Sequence, residues 1–198
     1  PANAFCLNFL NSILSLFEKI DKGKALIITG EGNIFSAGLD LYHISNIDKQ
    51  NFKKLISTFE QVLLKIIQHP AQTYTILNGH AIGGGFILLS CTDTCLSNSN
   101  DYKVGLNHSI LNSSLPAVPS AIIKTKYTDI QFLESSINIS SLIKTSDFIK
   151  IQSNPMNYIT NHMERINYLH IREKNNYTKN IMLYLKKYGS ETTQNFYN

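Results

Sequence analysis

Alternating strand and helix signals predict an α/β fold for this 198-residue chain. Short apolar runs at residues 25–29, 73–77 and 103–106 have the length and composition of buried strands. Longer stretches with helical periodicity separate them, and strand–helix–strand–helix order implies parallel strands joined by right-handed crossovers. Glycine-bearing loops follow the first two strands. A chain of this length is one domain with enough apolar residues, 43%, to fill a core.

The first helix is expected over residues 3–20, with apolar side chains at 7, 10, 13, 14 and 17, and the run Asp21-Lys22-Gly23-Lys24 ends it. The clearest helix covers residues 51–69. Phe52, Leu55, Ile56, Phe59, Val62, Leu63, Ile66 and Ile67 form one stripe along it, and Pro70 stops it. A buried helix is expected over residues 84–92. Pro116 and Pro119 mark a turn, and Ser120 is placed to cap the helix that follows. Residues 135–146 are rich in Ser and Ile with no catalytic pattern, and residues 156–188 read as helices with polar gaps. The core therefore spans residues 1–127, with a helical C-terminal region of the same domain over 128–198.

The densest chemical signal is Asn78-Gly79-His80-Ala81-Ile82-Gly83-Gly84-Gly85-Phe86. Consecutive glycines at a strand-to-helix junction let backbone N–H groups approach a ligand where negative charge develops. A second such junction, Ile34-Phe35-Ser36-Ala37-Gly38-Leu39-Asp40-Leu41, comes earlier in the chain. Two junctions of this kind are what a two-donor oxyanion hole requires. The alternative is that the glycines only permit close packing of strand and helix.

The pair FSAGLDL and NGHAIGGGF resembles the enoyl-CoA hydratase/isomerase (crotonase) superfamily. The likeness runs to about Lys126. Tyr102-Lys103-Val104-Gly105-Leu106-Asn107-His108-Ser109 is similar to the active-site strand of the Δ3,Δ2-enoyl-CoA isomerase branch. The resemblance implies a crotonase-like (ClpP/crotonase) β-α spiral with a helical C-terminal region. It implies oxyanion-hole donors on Leu39 and Gly84, each worth about 3 kcal/mol in sites of this kind. It also implies an acyl-CoA site formed by Ser36, Gly38, Leu39, Asp40, Leu41, Tyr42, Gly83, Gly84 and Asn107. Asp40 has a second reading as a helix cap. Members of the superfamily open with a β-hairpin ahead of the equivalent of Pro1.

The acid/base positions depart from the family pattern. Hydratases of this superfamily use two glutamates, whose places are taken here by Ile87 and His108. Ile87 cannot carry a proton, which favours the isomerase branch, where that place is apolar. The place of the isomerase glutamate is taken by His108, and an imidazole can shuttle a proton near neutral pH. His108 is thus a candidate catalytic residue, and a structural histidine is the alternative. Glu60, Asp129 and Glu134 are further carboxylates without a motif behind them, and Asp93, at the end of the expected buried helix, reads as structural. Glu60 reads as an edge of the apolar stripe, and His80 as a loop-edge residue.

The family reading implies no tightly bound cofactor: coenzyme A enters as part of the substrate, or an acyl group arrives on another pantetheine carrier. It implies a trimer or hexamer, for which Tyr177, Ile181, Leu185 and Tyr188 supply an apolar stripe. Two rival readings stand beside it: a non-catalytic thioester-binding or scaffold subunit, and an acyl-thioester decarboxylase, which makes an enolate without a base. The net charge of +4 lies in residues 121–198 without a basic cluster interleaved with aromatics, so nucleic acid is not an expected partner. No apolar run is long enough for a membrane span, and no secretory signal opens the sequence. Cys6, Cys91 and Cys95 lack disulfide spacing, and Cys91 and Cys95, four apart on the expected helix, read as buried structural thiols with no metal. The expected compartment is the cytoplasm, or an organellar matrix in a eukaryote.

Overall fold

The computed structural model describes residues 2–106, 115–127, 143–144, 150–151, 154–162, 177–187 and 189. Its strands form two sheets. The first has the order β1 (Leu26–Thr29), β3 (Thr73–Leu77), β5 (Thr94–Ser97), β8 (Lys150–Ile151), and all its pairs are parallel. The second has the order β2 (Ile34–Ser36), β4 (His80–Ile82), β6 (Lys103–Gly105), β7 (Ile143–Lys144), with only the last pair antiparallel. Each of the first three strand pairs, one strand in each sheet, is followed by a helix, so the chain advances as a spiral. This is the α/β spiral that the sequence implied.

The helices are α1 (Leu7–Phe17), α2 (Leu41–Ser45), α3 (Lys49–Ile67), α4 (Gly84–Ser90), α5 (Ala117–Lys126) and α6 (Pro155–His162). Residues 177–187 are also helical. Helix α3 starts where Asp48 Oδ1 accepts the Asn51 N–H at 2.7 Å. Seven members of its expected stripe, from Leu55 to Ile67, are buried. Each fully buried aliphatic or aromatic side chain contributes about 1.5–3 kcal/mol of transfer free energy. Helix α4 is buried all round, as its unbroken apolar composition requires. The carbonyls at and just past its C-terminal end are met by a lysine amine, whose pKa burial lowers: Lys126 Nζ donates to Ser90 O at 2.8 Å and to Thr92 O at 2.5 Å.

Several expectations need correction. The glycine motifs themselves contain strands β2 and β4, and His80 opens β4 rather than edging a loop. Cys91 caps α4 but Cys95 lies on β5, so the two thiols do not share a helix. Helix α5 begins before Pro119, which occupies the first turn, where an N–H has no intrahelical partner in any case. Ser120 is inside that helix, and its hydroxyl donates to Leu115 O at 3.2 Å. Helix α1 begins at Leu7, because Ala2 and Asn3 hold positive φ values of 71° and 50° that no helix admits. In the stripe offered for oligomerisation, Ile181 is fully buried, and Tyr177 and Leu185 pack on the chain's own core. Tyr188 lies outside the described residues.

Candidate active site

The site is built where the two glycine motifs meet. The segment Ala2–Phe5 runs along the first motif as a strap. Phe5 N–H donates to Gly38 O at 2.7 Å, and Asp40 N–H donates to Phe5 O at 3.1 Å. Phe5 thereby forms a parallel bridge opposite Leu39. In that geometry the groups flanking Leu39 face the strap and its own N–H points to the other side. That N–H has no hydrogen-bond partner among the described residues. The strap is anchored further by Asn3, whose Nδ2 donates to Ile34 O at 2.7 Å and to Phe35 O at 3.1 Å. Ala37 N–H donates to Ala2 O at 3.0 Å.

Gly84, the first residue of α4, packs against the same loop. A Cβ at Gly84 would stand 3.4 Å from Leu39 N, 3.3 Å from Gly38 Cα and 3.3 Å from Phe5 Cδ2. A Cβ at Gly38 would stand 2.6 Å from Gly84 N and 2.7 Å from Ile82 O, and Gly38 also has φ of +84°. Only glycine satisfies both demands at position 38. The two backbones are therefore in close approach around the Leu39 and Gly84 nitrogens. As the first residue of a helix, Gly84 has no intrahelical acceptor, and its N–H has no partner among the described residues. The preceding Gly83 is fixed by its N–H donating to Gly105 O at 2.8 Å. Adjacent backbone donors of this kind stabilise an oxygen that gains negative charge.

The other expected contact residues divide. Ser36 is buried, and its hydroxyl donates to Asn3 O at 2.8 Å and accepts the Gly38 N–H at 3.1 Å. It builds the loop. Asp40 Oδ1 accepts the His43 N–H at 3.0 Å as the N-cap of α2. Leu41 and Tyr42 stand out from α2, 55% and 83% exposed. Asn107 and His108, which sequence reasoning placed at the reacting atoms, lie outside the described residues, as do Asp129 and Glu134.

Ile87 lies one turn into α4, is 4% exposed and belongs to the main core. Asp93 is structural: its Oδ2 accepts both the N–H and the hydroxyl of Thr73, each at 2.7 Å. Glu60 is half-buried on α3, and its Oε1 accepts the Val118 N–H in the first turn of α5 at 2.9 Å. Burial raises the Glu60 pKa and outweighs the opposing effect of that N–H donor. Sequence reasoning left Glu60 at the edge of a stripe and missed Asn3 and Phe5 altogether. The positive φ of Asn3 and the reach of Glu60 to Val118 are tertiary effects with no local signature. Among the described residues, no group of three or more His, Cys, Asp or Glu is placed to hold a metal ion, and no helix is long and apolar enough to cross a membrane.

The model of the enoyl-CoA hydratase/isomerase family matches residues 1–112. The chain belongs to this family. Among curated relatives, mitochondrial enoyl-CoA delta isomerase 1 of Rattus norvegicus is 27% identical over 121 residues, covering 59% of this chain and 42% of the rat protein. Enoyl-CoA delta isomerase 3 of Arabidopsis thaliana is 28% identical over 122 residues, covering 58% of this chain and 51% of that protein. The chain thus spans about half the length of the curated relatives it matches. The crystal structure of human mitochondrial delta3-delta2-enoyl-CoA isomerase superposes with a TM-score of 0.84 at 19% identity, over 100% of this chain and 83% of that one. An enoyl-CoA hydratase from Mycobacterium ulcerans gives a TM-score of 0.78 at 16% identity, over 96% and 91%. At these identities the structural likenesses establish the fold, which the isomerase and the hydratase share.

Proposed function

We propose that this family member binds an acyl-CoA thioester and isomerises its double bond through an enolate held between the N–H groups of Leu39 and Gly84. The observation that carries the reading is the close approach of those two backbones, forced by glycine at positions 38 and 84. As the proton leaves C2, the thioester oxygen becomes negative. Two preorganised donors then contribute about 3 kcal/mol each to the transition state. The isomerases among the curated relatives support this branch of the family. So does Ile87, which puts an aliphatic side chain where hydratases need a carboxylate. Water addition requires a base for the water and an acid for the α-carbon, whereas isomerisation requires a single shuttle.

The exposed Tyr42 and Leu41 border the same loop and suit contacts with the coenzyme A part of the substrate, or with the pantetheine arm of a carrier. His108 is the family-implied proton shuttle. The core over 1–127 supplies the thioester site and the region over 128–198 completes the same domain. The exposed Met156, Met182 and Leu183 suit a homo-oligomeric interface in a trimer or hexamer. The experiment compares 3-hexenoyl-CoA isomerisation with crotonyl-CoA hydration in wild type and in His108→Ala. Isomerisation without appreciable hydration supports the reading. Efficient hydration overturns it. Thioester binding with neither reaction turns the assignment toward a scaffold or a decarboxylase.

A further inference from the structure

An enolate site needs a group that takes and returns a proton near neutral pH, and Glu60 has the environment for it. It sits on α3 with Ile56 (1% exposed) one turn before it and Leu63 (fully buried) one turn after it. The facing helix α1 carries no ionisable side chain. On α5, the basic residues Lys124 and Lys126 are at the far end, in the last turn. One carboxylate oxygen, Oε1, is fixed by the Val118 N–H at 2.9 Å. The other, Oε2, has no hydrogen-bond partner among the described residues, and no cation pairs with Glu60 among them. Asp93, by contrast, is held by Thr73, and Asp40 by the His43 N–H.

Glu60 follows a residue that packs on the strap beside the donor pair. Its neighbour Phe59 packs its ring 5.3 Å from that of Phe5, and Phe5 Cδ2 is one of the atoms nearest the Gly84 Cβ position. Val118 lies in the first turn of α5, the next described helix after β6, the strand whose Gly105 fixes Gly83.

We infer that Glu60 is an acid/base residue of the acyl-binding site, with Oε1 anchored to α5 and Oε2 moving the proton. This inference rests on the thioester reading above. The C2–H bond of a 3-enoyl thioester breaks as the proton passes to Oε2. The electron pair delocalises through the C3–C4 double bond and onto the thioester oxygen between Leu39 and Gly84. The same proton then goes to C4 as the double bond settles between C2 and C3, and Glu60 returns to the carboxylate. Nothing is oxidised or reduced, and no co-reactant is consumed. The raised pKa of Glu60 suits this work, because the carboxyl must hold the proton between the two steps.

Glu60→Gln is the informative variant, since the amide oxygen still accepts the Val118 N–H and preserves the anchor. Three quantities are read on wild type, Glu60→Gln and His108→Ala: isomerisation of 3-hexenoyl-CoA, exchange of its C2 protons in D2O by NMR, and its affinity by calorimetry. The Glu60 carboxyl is titrated by 13C NMR in wild type. Glu60→Gln should lower isomerisation and exchange together by about 10²- to 10⁴-fold with affinity little changed, and the carboxyl should titrate above the ordinary glutamate range. Rates in Glu60→Gln comparable to wild type would overturn the inference and, with loss in His108→Ala, give the proton to His108. A carboxyl that titrates in the ordinary range, or a wild type that binds the thioester and exchanges no C2 proton, would overturn it as well. Failure of wild type to bind the thioester at all is a separate result: it removes the thioester reading itself.

Discussion

Gly84→Ala separates the donor pair from the fold. The added methyl would lie 3.4 Å from Leu39 N and 3.3 Å from Gly38 Cα and Phe5 Cδ2. Contacts that close make the neighbours give by a few tenths of an ångström, and two of the three are backbone atoms beside the donors. The strain is confined, because Gly84 is not among the residues with positive φ, and alanine in a helix recovers up to about 1 kcal/mol relative to glycine. Stability should therefore change by no more than about 1 kcal/mol, read as the shift of the urea midpoint. Misplacing one oxyanion donor should lower the turnover of 3-hexenoyl-CoA by about 10²- to 10³-fold, or about 2.7–4 kcal/mol. Continuous absorbance of the conjugated product follows the rate. A folded Gly84→Ala protein that turns over like wild type would refute the assignment of a donor to Gly84. Valine at the same position is less informative, since its extra methyls press on the same backbone and confound site with fold.

Other consequences are open to direct measurement. Lys126→Met removes a donor to the Ser90 and Thr92 carbonyls. The Tyr177 hydroxyl still donates to Ser90 O, so the Thr92 carbonyl is the one left without this donor, and the change should cost about 1–3 kcal/mol in urea unfolding; no loss would show that Lys126 does not stabilise the end of α4. Burial pushes the Cys95 thiol up to about 12 and raises Cys91 as well, so a thiolate-selective reagent at neutral pH should modify only Cys6 in the folded protein and all three cysteines after denaturation. Because burial raises the Glu60 pKa above its unfolded value, its protonated form favours the fold. Its contribution is fully present below the unfolded pKa and fades as pH rises through the folded one. Glu60→Gln should remove that part of the pH dependence, and an unchanged stability–pH curve would contradict the shift.

What the sequence revealed followed physical range. The stripe of α3 was legible because eight apolar positions repeat at helical spacing, and the structure buries most of them. Ser36, Gly38 and Gly84 were legible as a motif because close backbone approach demands residues with small side chains or none. Strands β2 and β4 were not, since three residues cannot establish a period of two. Strand β5 follows α4 after only a few residues with no Gly or Pro between them, so Cys95 was read as a continuation of the helix. The strap at Asn3 and Phe5 and the anchor between Glu60 and Val118 join positions far apart in the chain. Their signals exist only once the spiral has formed. The stripe ending at Tyr188 showed the opposite error: helical spacing reveals an apolar face, but not whether the chain's own core or a second subunit covers it.

The central claim is that the Leu39 and Gly84 N–H groups receive one thioester oxygen. A crystal structure with acetoacetyl-CoA tests it most directly. The account predicts the thioester oxygen about 2.7–3.1 Å from both nitrogens. A thioester bound elsewhere, or with its carbonyl turned away from both donors, would contradict it.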